Sequence, residues 1–487
     1  MLAVNIRALR HTPRLHPIVA ATVGTAGMIV VAAHPALSDR TIVYNVSLGV
    51  VTALWFGVLL FVRNHTRLDL PPSGVRWMTA ALLGSGILSI ALNPLAGWQP
   101  LWRLGANLTL LWMGYWLAAD RRSLHFLAGM LGAAAVFSGL YALIQFVALD
   151  PLPAATPFAA HRVVATFSNP NHLGNFQACV LPLGLAAMLQ ASWTEPARRR
   201  RMRGGILLTV ILIVYSGLLL SASRGAWMAA LAGTAIVMGG HGLAVHRGQT
   251  RWPVRWLAAV AVALLLVTLV IARYPLVRAH QHSIYLAERL VSTQHVIPSR
   301  LPEVPIPGME HQPDARILSS PDGAINHRYF IWRIAWDMVG ARPLYGIGYG
   351  AFQRQFGTYR DAYAGEARYL SLNQVAQQED TAYAHNEYLH VWAECGILGL
   401  ASLLLLLLTG LSAGLLAAWK STRSCPMLWG LLGLATVVLV HGLVSYPLQM
   451  TLSGMVAFIA FGILLSIGRT LLPDSIAPHS ESPSVSI

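Results

Sequence analysis

Residues 385–416 read HNEYLHVWAECGILGLASLLLLLLTGLSAGLL, and this stretch decides the fold. From Val391 to Leu416 it contains one charged residue, Glu394, and it exceeds the roughly 20 apolar residues that a helix needs to cross a bilayer. His385 and Asn386 stand directly before it, where water and bilayer are expected to meet. Because an imidazole changes its charge near neutral pH, a histidine at this boundary predicts a catalytic centre.

The composition of the whole chain supports the same fold class. Hydrophobic residues make up 55% of the 487 residues and charged residues only 11%, which lies outside the range of ordinary soluble domains. Apolar runs of about 20 residues recur, so we predict an all-α, polytopic membrane protein and exclude a soluble one. The three cysteines, Cys179, Cys395 and Cys425, fall in or beside predicted spans, so neither a disulfide scaffold nor a metal cluster is indicated.

Hydropathy predicts about twelve transmembrane spans. A basic segment precedes the first span, but no small-residue cleavage site follows it, so we expect a retained span and not a signal peptide. The predicted spans are Ile18–Ala33, Ile42–Val62, Val75–Leu92, Leu101–Ala118, Leu124–Ala148, His172–Gln190, Gly205–Leu220, Ala226–Leu243, Val254–Ala272, Tyr388–Leu416, Met427–Val444 and Leu452–Ile467.

These spans divide the chain into four parts. Residues 1–272 hold spans one to nine, residues 273–387 form a large loop, residues 388–468 hold spans ten to twelve, and residues 469–487 form a Ser/Pro-rich tail expected to be disordered. The loop is predicted to contain a helix in Arg278–Ile297, a proline-rich connector in Pro298–Pro321, an amphipathic helix in His327–Gly340 and a glycine turn in Gly346–Gly350.

The distribution of basic residues predicts the orientation. Loops on the side of the termini carry 19 Arg or Lys against five Asp or Glu, whereas the short loops opposite hold only Arg40, Arg103, Arg162 and Arg224. Since basic loops resist translocation, the termini are expected in the cytoplasm and the large loop on the far side. The net charge of +15 is therefore a topology signal. A nucleic-acid partner is excluded, because the basic residues are dispersed over several loops.

Three polar motifs precede spans on this far side. They are Thr166–His172 (TFSNPNH), Ser221–Gly225 (SASRG) and His385–Glu387 (HNE). Ser168 or Asn169 before Pro170, and Ser221 or Ser223, are expected to cap the helices that follow. Helix N-termini carry unpaired N–H groups and partial positive charge, so several of them with arginines predict a phosphate or diphosphate site. The candidate binding residues are Asn169, Asn171, His172, Ser223, Asn386 and Arg328.

The residue types also predict the chemistry of this site. His385 is the candidate base, and Asp380 or Glu379 is the candidate that orients its ring. Arg224, Arg328 and Arg333 are candidate contacts for the diphosphate or the acceptor, because a guanidinium binds two phosphate oxygens at once and requires no metal. Of these, Arg224 and Arg333 are counted with His385 as candidate catalytic residues. Each motif also has a plain structural interpretation: an ordinary cap, an arginine reaching towards the membrane surface, an interfacial histidine, or an aromatic helix packed on the bilayer.

The order of these motifs carries a resemblance to a known family. FSNPNHLGNF, then SASRGAW, then RYFIWRIAWDMVGARPLYGIGYGAF in a large loop, then HNEYLHVWAECGILGL opening a span, together resemble the O-antigen ligase and polymerase superfamily of bacterial membrane glycosyltransferases. The resemblance extends roughly from Thr166 to Leu448, and His385-Asn386 and Ser223-Arg224-Gly225 are its most specific parts.

The resemblance implies a GT-C-like membrane fold of about twelve helices, with a large periplasmic loop between helices nine and ten and no metal or other cofactor. It implies a multi-pass protein of the bacterial inner membrane whose active site faces the periplasm. The donor would be a glycan linked to undecaprenyl diphosphate. The acceptor would be the lipid A core of lipopolysaccharide in a ligase, a second lipid-linked repeat in a polymerase, or a Ser or Thr of a pilin-like protein in an oligosaccharyltransferase.

The sequence also argues against two other classes of function. A transporter of lipid-linked glycans would place polar or broken positions deep within its spans and show symmetric halves, whereas these polar motifs collect on one face and no repeat is present. A purely structural membrane protein would not require the arginine and histidine constellation. One base without an evident carboxylate nucleophile favours a single displacement with inversion.

Overall fold

The computed structural model describes residues 71–118, 121–148, 162–194, 196–278, 283–291, 303–305, 316–318, 323–363 and 381–469. The described part is predominantly helical. Its helices are α1 Ser73–Ala91, α2 Gln99–Leu117, α3 Arg121–Ala148, α4 Pro170–Thr194, α5 Ala197–Leu220, α6 Arg224–His246, α7 Val254–Ala272, α8 Leu286–Val291, α9 Gly323–Ala341, α10 Phe352–Asp361, α11 Glu387–Lys420, α12 Pro426–Gly442 and α13 Thr451–Arg469. The first two predicted spans, Glu379, Asp380 and the C-terminal tail lie outside the described residues.

Every predicted span within the described residues corresponds to a helix. Seven helices are long and apolar enough to cross a membrane, and α12 and most of α13 are shorter apolar helices. The prediction of a helical, membrane-spanning protein is therefore confirmed, while the total of about twelve spans stays a prediction. α2 is a helix but is not among the seven, and it carries the polar residues Gln99, Arg103 and Asn107.

Proline defines the starts of many of these helices, because its fixed φ suits the first turn and its missing N–H loses no helical hydrogen bond there. Glycine lets the helices pack closely. A Cβ at Gly114 of α2 would collide with the carbonyl of Ile459 in α13, and Gly233 of α6 directly faces Gly433 of α12. The prolines at or beside a helix start are Pro72, Pro100, Pro170, Pro196, Pro253 and Pro426.

The long helix α11 is broken one third of the way along, at Gly396. This residue has φ 67° and ψ −174°, which interrupts the helical hydrogen bonding. The amide of Ile397 bonds the carbonyl of Pro343 at 2.9 Å, and the carbonyl of Ala393 accepts from Ile347 at 2.8 Å. The two groups that would have bonded each other in a continuous helix therefore bond residues 343–347 of the loop, and the carbonyl of Ala393 bonds within the glycine turn that the sequence predicts at Gly346–Gly350.

A buried charged side chain completes this junction. The carbonyl of Glu394 accepts from the amide of Gly348 at 3.3 Å and from the hydroxyl of Ser89 at 2.5 Å. Its carboxylate accepts from the amide of Phe352 at 3.0 Å and lies 3.5 Å from Nε2 of His390. Backbone polar groups freed in an apolar environment must find partners. The loop supplies most of them, so the segment of α11 before the break and residues 343–352 form one hydrogen-bonded unit.

The large loop differs in part from its prediction. α9 confirms the predicted amphipathic helix, and Gly346, Gly348 and Gly350 all have positive φ as the predicted turn requires. Within Arg278–Ile297 the described helix is only Leu286–Val291, preceded by the strands β1 Val277–Arg278 and β2 Ser283–Ile284. The proline-rich connector contains two further strands that were not predicted, β3 Glu303–Pro305 and β4 Arg316–Leu318.

Both pairs of strands are short and antiparallel. β1 pairs with β2 so that Val277 lies opposite Ile284, and β3 pairs with β4 so that Val304 lies opposite Ile317. Alternating Val, Ile and polar residues favour strands. Such short runs fall below the length at which sequence periodicity separates a strand from a connector.

Candidate functional site

The starts of α4, α6 and α11 meet at one end of the helix bundle. Gly174 of α4 packs so tightly on the turn before α6 that a Cβ there would lie 2.6 Å from Oγ of Ser221. A Cβ on Gly225 of α6 would lie 3.1 Å from the ring of His441 at the end of α12. Gly442 in turn lies against Glu387, the first residue of α11. The SASRG and HNE motifs therefore contact the end of α12, and the start of α4 packs on the SASRG turn; we call this end of the bundle the common centre.

Each motif contains, or directly follows, a residue with a left-handed backbone. Among the described residues, the non-glycine residues with positive φ are Ala165 at 50°, Ala222 at 51° and His385 at 50°. One precedes α4, one lies in the turn before α6 and one precedes α11. This conformation is unfavourable for residues with a Cβ and persists where the surrounding structure enforces it. Backbone strain therefore concentrates at this end of the bundle.

The start of α4 is capped as the sequence predicts. Oδ1 of Asn169 accepts from the amide of Asn171 at 2.8 Å, and Pro170 occupies the first helical position. Oγ of Ser168 lies 3.5 Å from Nδ1 of His172. The ring of His172 faces Tyr446 edge-on, with centroids 6.0 Å apart. Asn169 and Asn171 thus build the helix start, whereas His172 reaches into the common centre.

The turn before α6 is held by two arginines from other parts of the chain. Arg162 donates to the carbonyl of Ser221 at 2.7 Å, and Arg289 donates to the carbonyl of Ala222 at 3.3 Å. Ser223 occupies the N-cap position as predicted, but its side chain makes no cap hydrogen bond. Arg224 follows as the first helical residue and is only 4% exposed. A guanidinium so deeply buried does not fit the interpretation of an arginine reaching to the membrane surface.

The start of α11 ties the HNE motif to the turn between α12 and α13. Asn386 caps α11 by accepting from the amide of Leu389 at 3.0 Å, and its Nδ2 donates to the carbonyl of Leu443 at 3.1 Å. The buried carboxylate of Glu387 accepts from the amide of Leu448 at 2.8 Å and from Nε2 of Gln449 at 3.1 Å. Asn386, a predicted ligand-binding residue, therefore has a clear structural function in the fold.

His385 lies against the turn that these bonds hold. Its ring meets Tyr446 edge-on, with centroids 5.1 Å apart and an interplanar angle of 72°. Tyr446 also stacks on Tyr383 at 4.3 Å and 19°. Burial, the largest cause, and nearby Tyr383 raise the pKa of Tyr446 above its ordinary value, although Arg328 opposes this shift. The phenol stays neutral near pH 7, so His385 is the better candidate for a base.

The two loop arginines occupy different environments. Arg328 lies within electrostatic range of both His441 and Tyr446, so its charge is near the common centre. Arg333 is one turn further along α9, with its side chain 58% exposed, and it lies 3.8 Å from Asp337. Its Nε donates to the hydroxyl of Tyr363 at 3.0 Å. The structure thus brings Arg328 towards the site and engages Arg333 in a network within the loop.

Sequence reasoning missed His441 and Tyr446. His441 is 1% exposed at the end of α12 and lies within electrostatic range of Arg328 and His172. The signal was present, because HGLVSYP at residues 441–447 interrupts an apolar segment with ionisable and aromatic residues. In the described part of the chain, no group of three or more His, Cys, Asp or Glu could hold a metal ion.

A comparison with protein families supports the resemblance that the motifs carry. Residues 207–404 match the family model described as O-antigen ligase. This match supports a relation of these residues to the O-antigen ligase and polymerase superfamily. No curated protein matches the chain.

The matched O-antigen ligase region contains the main charged candidates of the site. It begins within α5 and ends within α11, so it includes Arg224, Arg328, Arg333 and His385. His172 and Tyr446 lie outside it, on either side. The candidate site therefore combines residues of the matched region with residues that flank it in sequence.

Proposed function

We propose that the protein is an O-antigen ligase-type glycosyltransferase, which moves a glycan from undecaprenyl diphosphate to the lipid A core of lipopolysaccharide. The observation that supports the proposal is that His385 and buried Arg224 lie at the same end of the bundle, with Arg328 in electrostatic range of it. Gly225, next to Arg224, packs on His441, and Arg328 acts on the same histidine. His385 joins them through Tyr446.

In this proposal Arg224, Arg328 and the N-termini of the helices bind the donor diphosphate. Arg224 opens α6, where the unpaired N–H groups and the helix dipole favour an anion. A guanidinium adds two parallel hydrogen bonds to phosphate oxygens, so the leaving group can be stabilised by protein groups and no metal is required. Arg333 is already paired with Asp337, so within this proposal it orders the loop and does not bind the donor.

In this proposal His385 is the general base that activates the acceptor hydroxyl. The imidazole takes the hydroxyl proton while the acceptor oxygen forms a bond to the anomeric carbon of the glycan. The bond from that carbon to the diphosphate oxygen breaks, and undecaprenyl diphosphate leaves with the bonding electron pair. A single step of this kind inverts the configuration at the anomeric carbon. Ser223, Asn169 and Asn171 shape the helix starts around the donor.

The proposal includes the location of the reaction. Charge asymmetry favours cytoplasmic termini, so the site and the large loop face the periplasm of a bacterium, at the surface of the inner membrane. Both substrates would be anchored in this membrane, which confines them to the plane of the site.

The test is glycan transfer by the purified protein from an undecaprenyl-diphosphate glycan, with three acceptors offered separately. Product on the lipid A core alone supports the ligase reaction. A ladder of repeats formed without the core would identify a polymerase, and product on a pilin-like peptide would identify an oligosaccharyltransferase. Absence of transfer to any of the three would contradict the proposal.

Two histidine variants connect this activity to the site. His385→Ala is expected to reduce transfer at least about 100-fold, the usual contribution of a general base. His246→Ala is the matched control, because His246 is an exposed histidine at the opposite end of α6. If His385→Ala transfers glycan within twofold of the parent protein, the assignment of the base is wrong.

A further inference from the structure

An unusual chain of contacts connects an arginine of α2 to the candidate base. Nη1 of Arg103 donates to the hydroxyl of Tyr383 at 3.1 Å. Tyr383 stacks on Tyr446 with centroids 4.3 Å apart. Tyr446 then meets His385 edge-on at 5.1 Å and His172 edge-on at 6.0 Å. We call Arg103, Tyr383 and Tyr446 the aromatic relay.

The relay is held at both ends by polar groups. The turn that carries Tyr446 is held at Leu443 by Asn386 and at Leu448 by Glu387. Arg103 and Glu387 line a common cavity of about 30 Å³, together with Asn107 and Gln449. A cavity of this size has room for one water molecule. Arg103 therefore bonds Tyr383 of the relay and also lines the cavity beside Glu387, which holds the turn that carries Tyr446.

The candidate base has a strained backbone that requires such support. His385 has φ 50°, so the surrounding structure must hold it in this conformation. The edge of an imidazole and the face of a phenol ring attract each other, and this geometry fixes the plane of the imidazole. Tyr446 is 7% exposed and contacts both His385 and His172, so one ring is shared by two histidines.

We propose that the aromatic relay positions His385 for proton abstraction, with Tyr446 as the positioning residue and Arg103 as its distal anchor. This inference rests on the proposed function in taking His385 as the base. None of the three relay residues needs to touch the substrate. A base displaced by about 1 Å loses on the order of 100-fold in rate, so the orientation of the ring has a measurable effect.

The first experiment separates the ring of Tyr446 from its hydroxyl. Tyr446→Leu is expected to lower kcat by about 10- to 100-fold with the donor KM within twofold, because the donor contacts are unchanged. Tyr446→Phe keeps the ring and is expected to restore kcat to within about threefold of the parent protein. If Tyr446→Leu and the parent protein have equal kcat, the inference is wrong.

The second experiment tests the distal anchor. Tyr383→Phe keeps the stacked ring but deletes the hydroxyl that accepts from Arg103, and it is expected to lower kcat several-fold. Tyr345→Phe is the matched control, because it deletes the hydrogen bond from Arg342 to Tyr345 at 3.3 Å in an exposed Arg–Tyr pair. Equal effects of the two variants on kcat would show that Arg103 does not act through the relay.

A readout without turnover distinguishes failure of the relay from failure of the proposed function. In protein labelled with ¹³C-histidine, the His385 resonance is identified by its loss in His385→Gln. Tyr446→Leu is expected to shift this resonance and Tyr446→Phe to leave it nearly in place. If the parent protein transfers no glycan, the proposed function fails, yet the spectra still decide the relay. An unchanged His385 resonance in Tyr446→Leu overturns the inference.

Discussion

The carboxylate of Glu387 accepts a hydrogen bond from the amide of Leu448 at 2.8 Å, across a sequence separation of 61 residues. This bond joins the first residue of α11 to the turn before α13. The same carboxylate also accepts from the side chain of Gln449. An acidic residue beside a candidate base suggests catalysis, but both of its oxygens are engaged in holding the fold.

We therefore expect Glu387→Gln to reduce stability. The amide nitrogen that replaces one oxygen would face a backbone or side-chain donor, and a buried donor without an acceptor costs about 1–3 kcal/mol. The measurement is the midpoint of thermal unfolding in detergent. Glu288→Gln is the control, because Glu288 is exposed and accepts only from the amide of Tyr285 among its described contacts. Equal midpoints for both variants would contradict the prediction.

Charge and geometry can be separated at Arg224. Arg224→Lys keeps the positive charge but loses the planar fork, so transfer is expected to fall by about 10-fold and to fall further in Arg224→Ala. Donor binding and transfer are measured separately with the purified lipid-linked glycan.

Arg255 provides the control for these variants. It lies in the first turn of α7 and is exposed, whereas Arg224 is 4% exposed in the first turn of α6. Arg255→Lys and Arg255→Ala are expected to transfer glycan like the parent protein. If Arg224→Ala binds the donor normally, Arg224 does not contact the diphosphate, and Arg328 would have to bind it.

The break in α11 requires glycine at residue 396. Its φ of 67° is unfavourable for alanine, and a Cβ there would collide with the backbone of Leu344. Gly396→Ala is expected to lower the yield of folded protein severalfold, measured by size-exclusion chromatography of a fluorescent fusion. Gly239→Ala in α6 is expected to fold normally, because a Cβ there meets nothing within 4 Å. Normal folding of Gly396→Ala would show that the junction tolerates a shift.

The orientation of the chain can be tested with reporters. A fusion after Pro321 is expected to be active only as a periplasmic reporter, and a fusion after Pro473 only as a cytoplasmic one. Paired enzymatic reporters that work on opposite sides of the membrane make the comparison. A cytoplasmic signal at Pro321 would remove the topology on which the proposed function depends.

The helices were predictable because apolar runs in a membrane protein are long and their interruptions are few. The cap at Asn169 and the turn at Gly346–Gly350 were also predictable, because each depends on a local residue preference. The break at Gly396 was not. One glycine in an apolar run gives no warning, and only the docked turn at residues 343–348 makes the interruption favourable.

The site shows the same difference between local and distant information. The three motifs can be recognised in the sequence because their polar residues stand directly before apolar spans. Tyr446 and His441 come from a fourth segment, and their importance depends on contacts with residues more than 200 positions away, such as His172 with Tyr446. At Asn386 the structure adds a role that the motif did not indicate, because this predicted ligand-binding residue also caps a helix and bonds Leu443.

The interruption at Gly396 has a mechanical consequence. Residues 387–395 are clamped to the loop by Phe352 and to the neighbouring turn by Leu448, whereas residues 398–420 continue as an ordinary apolar rod. A rod in a bilayer changes its tilt as lipid thickness varies. No continuous run of helical hydrogen bonds joins residues 398–420 to residues 387–395. We therefore expect residues 398–420 to change their tilt at Gly396 without moving residues 387–395. We expect His385, which directly precedes this clamped segment, to keep its position in the site while the thickness of the bilayer varies.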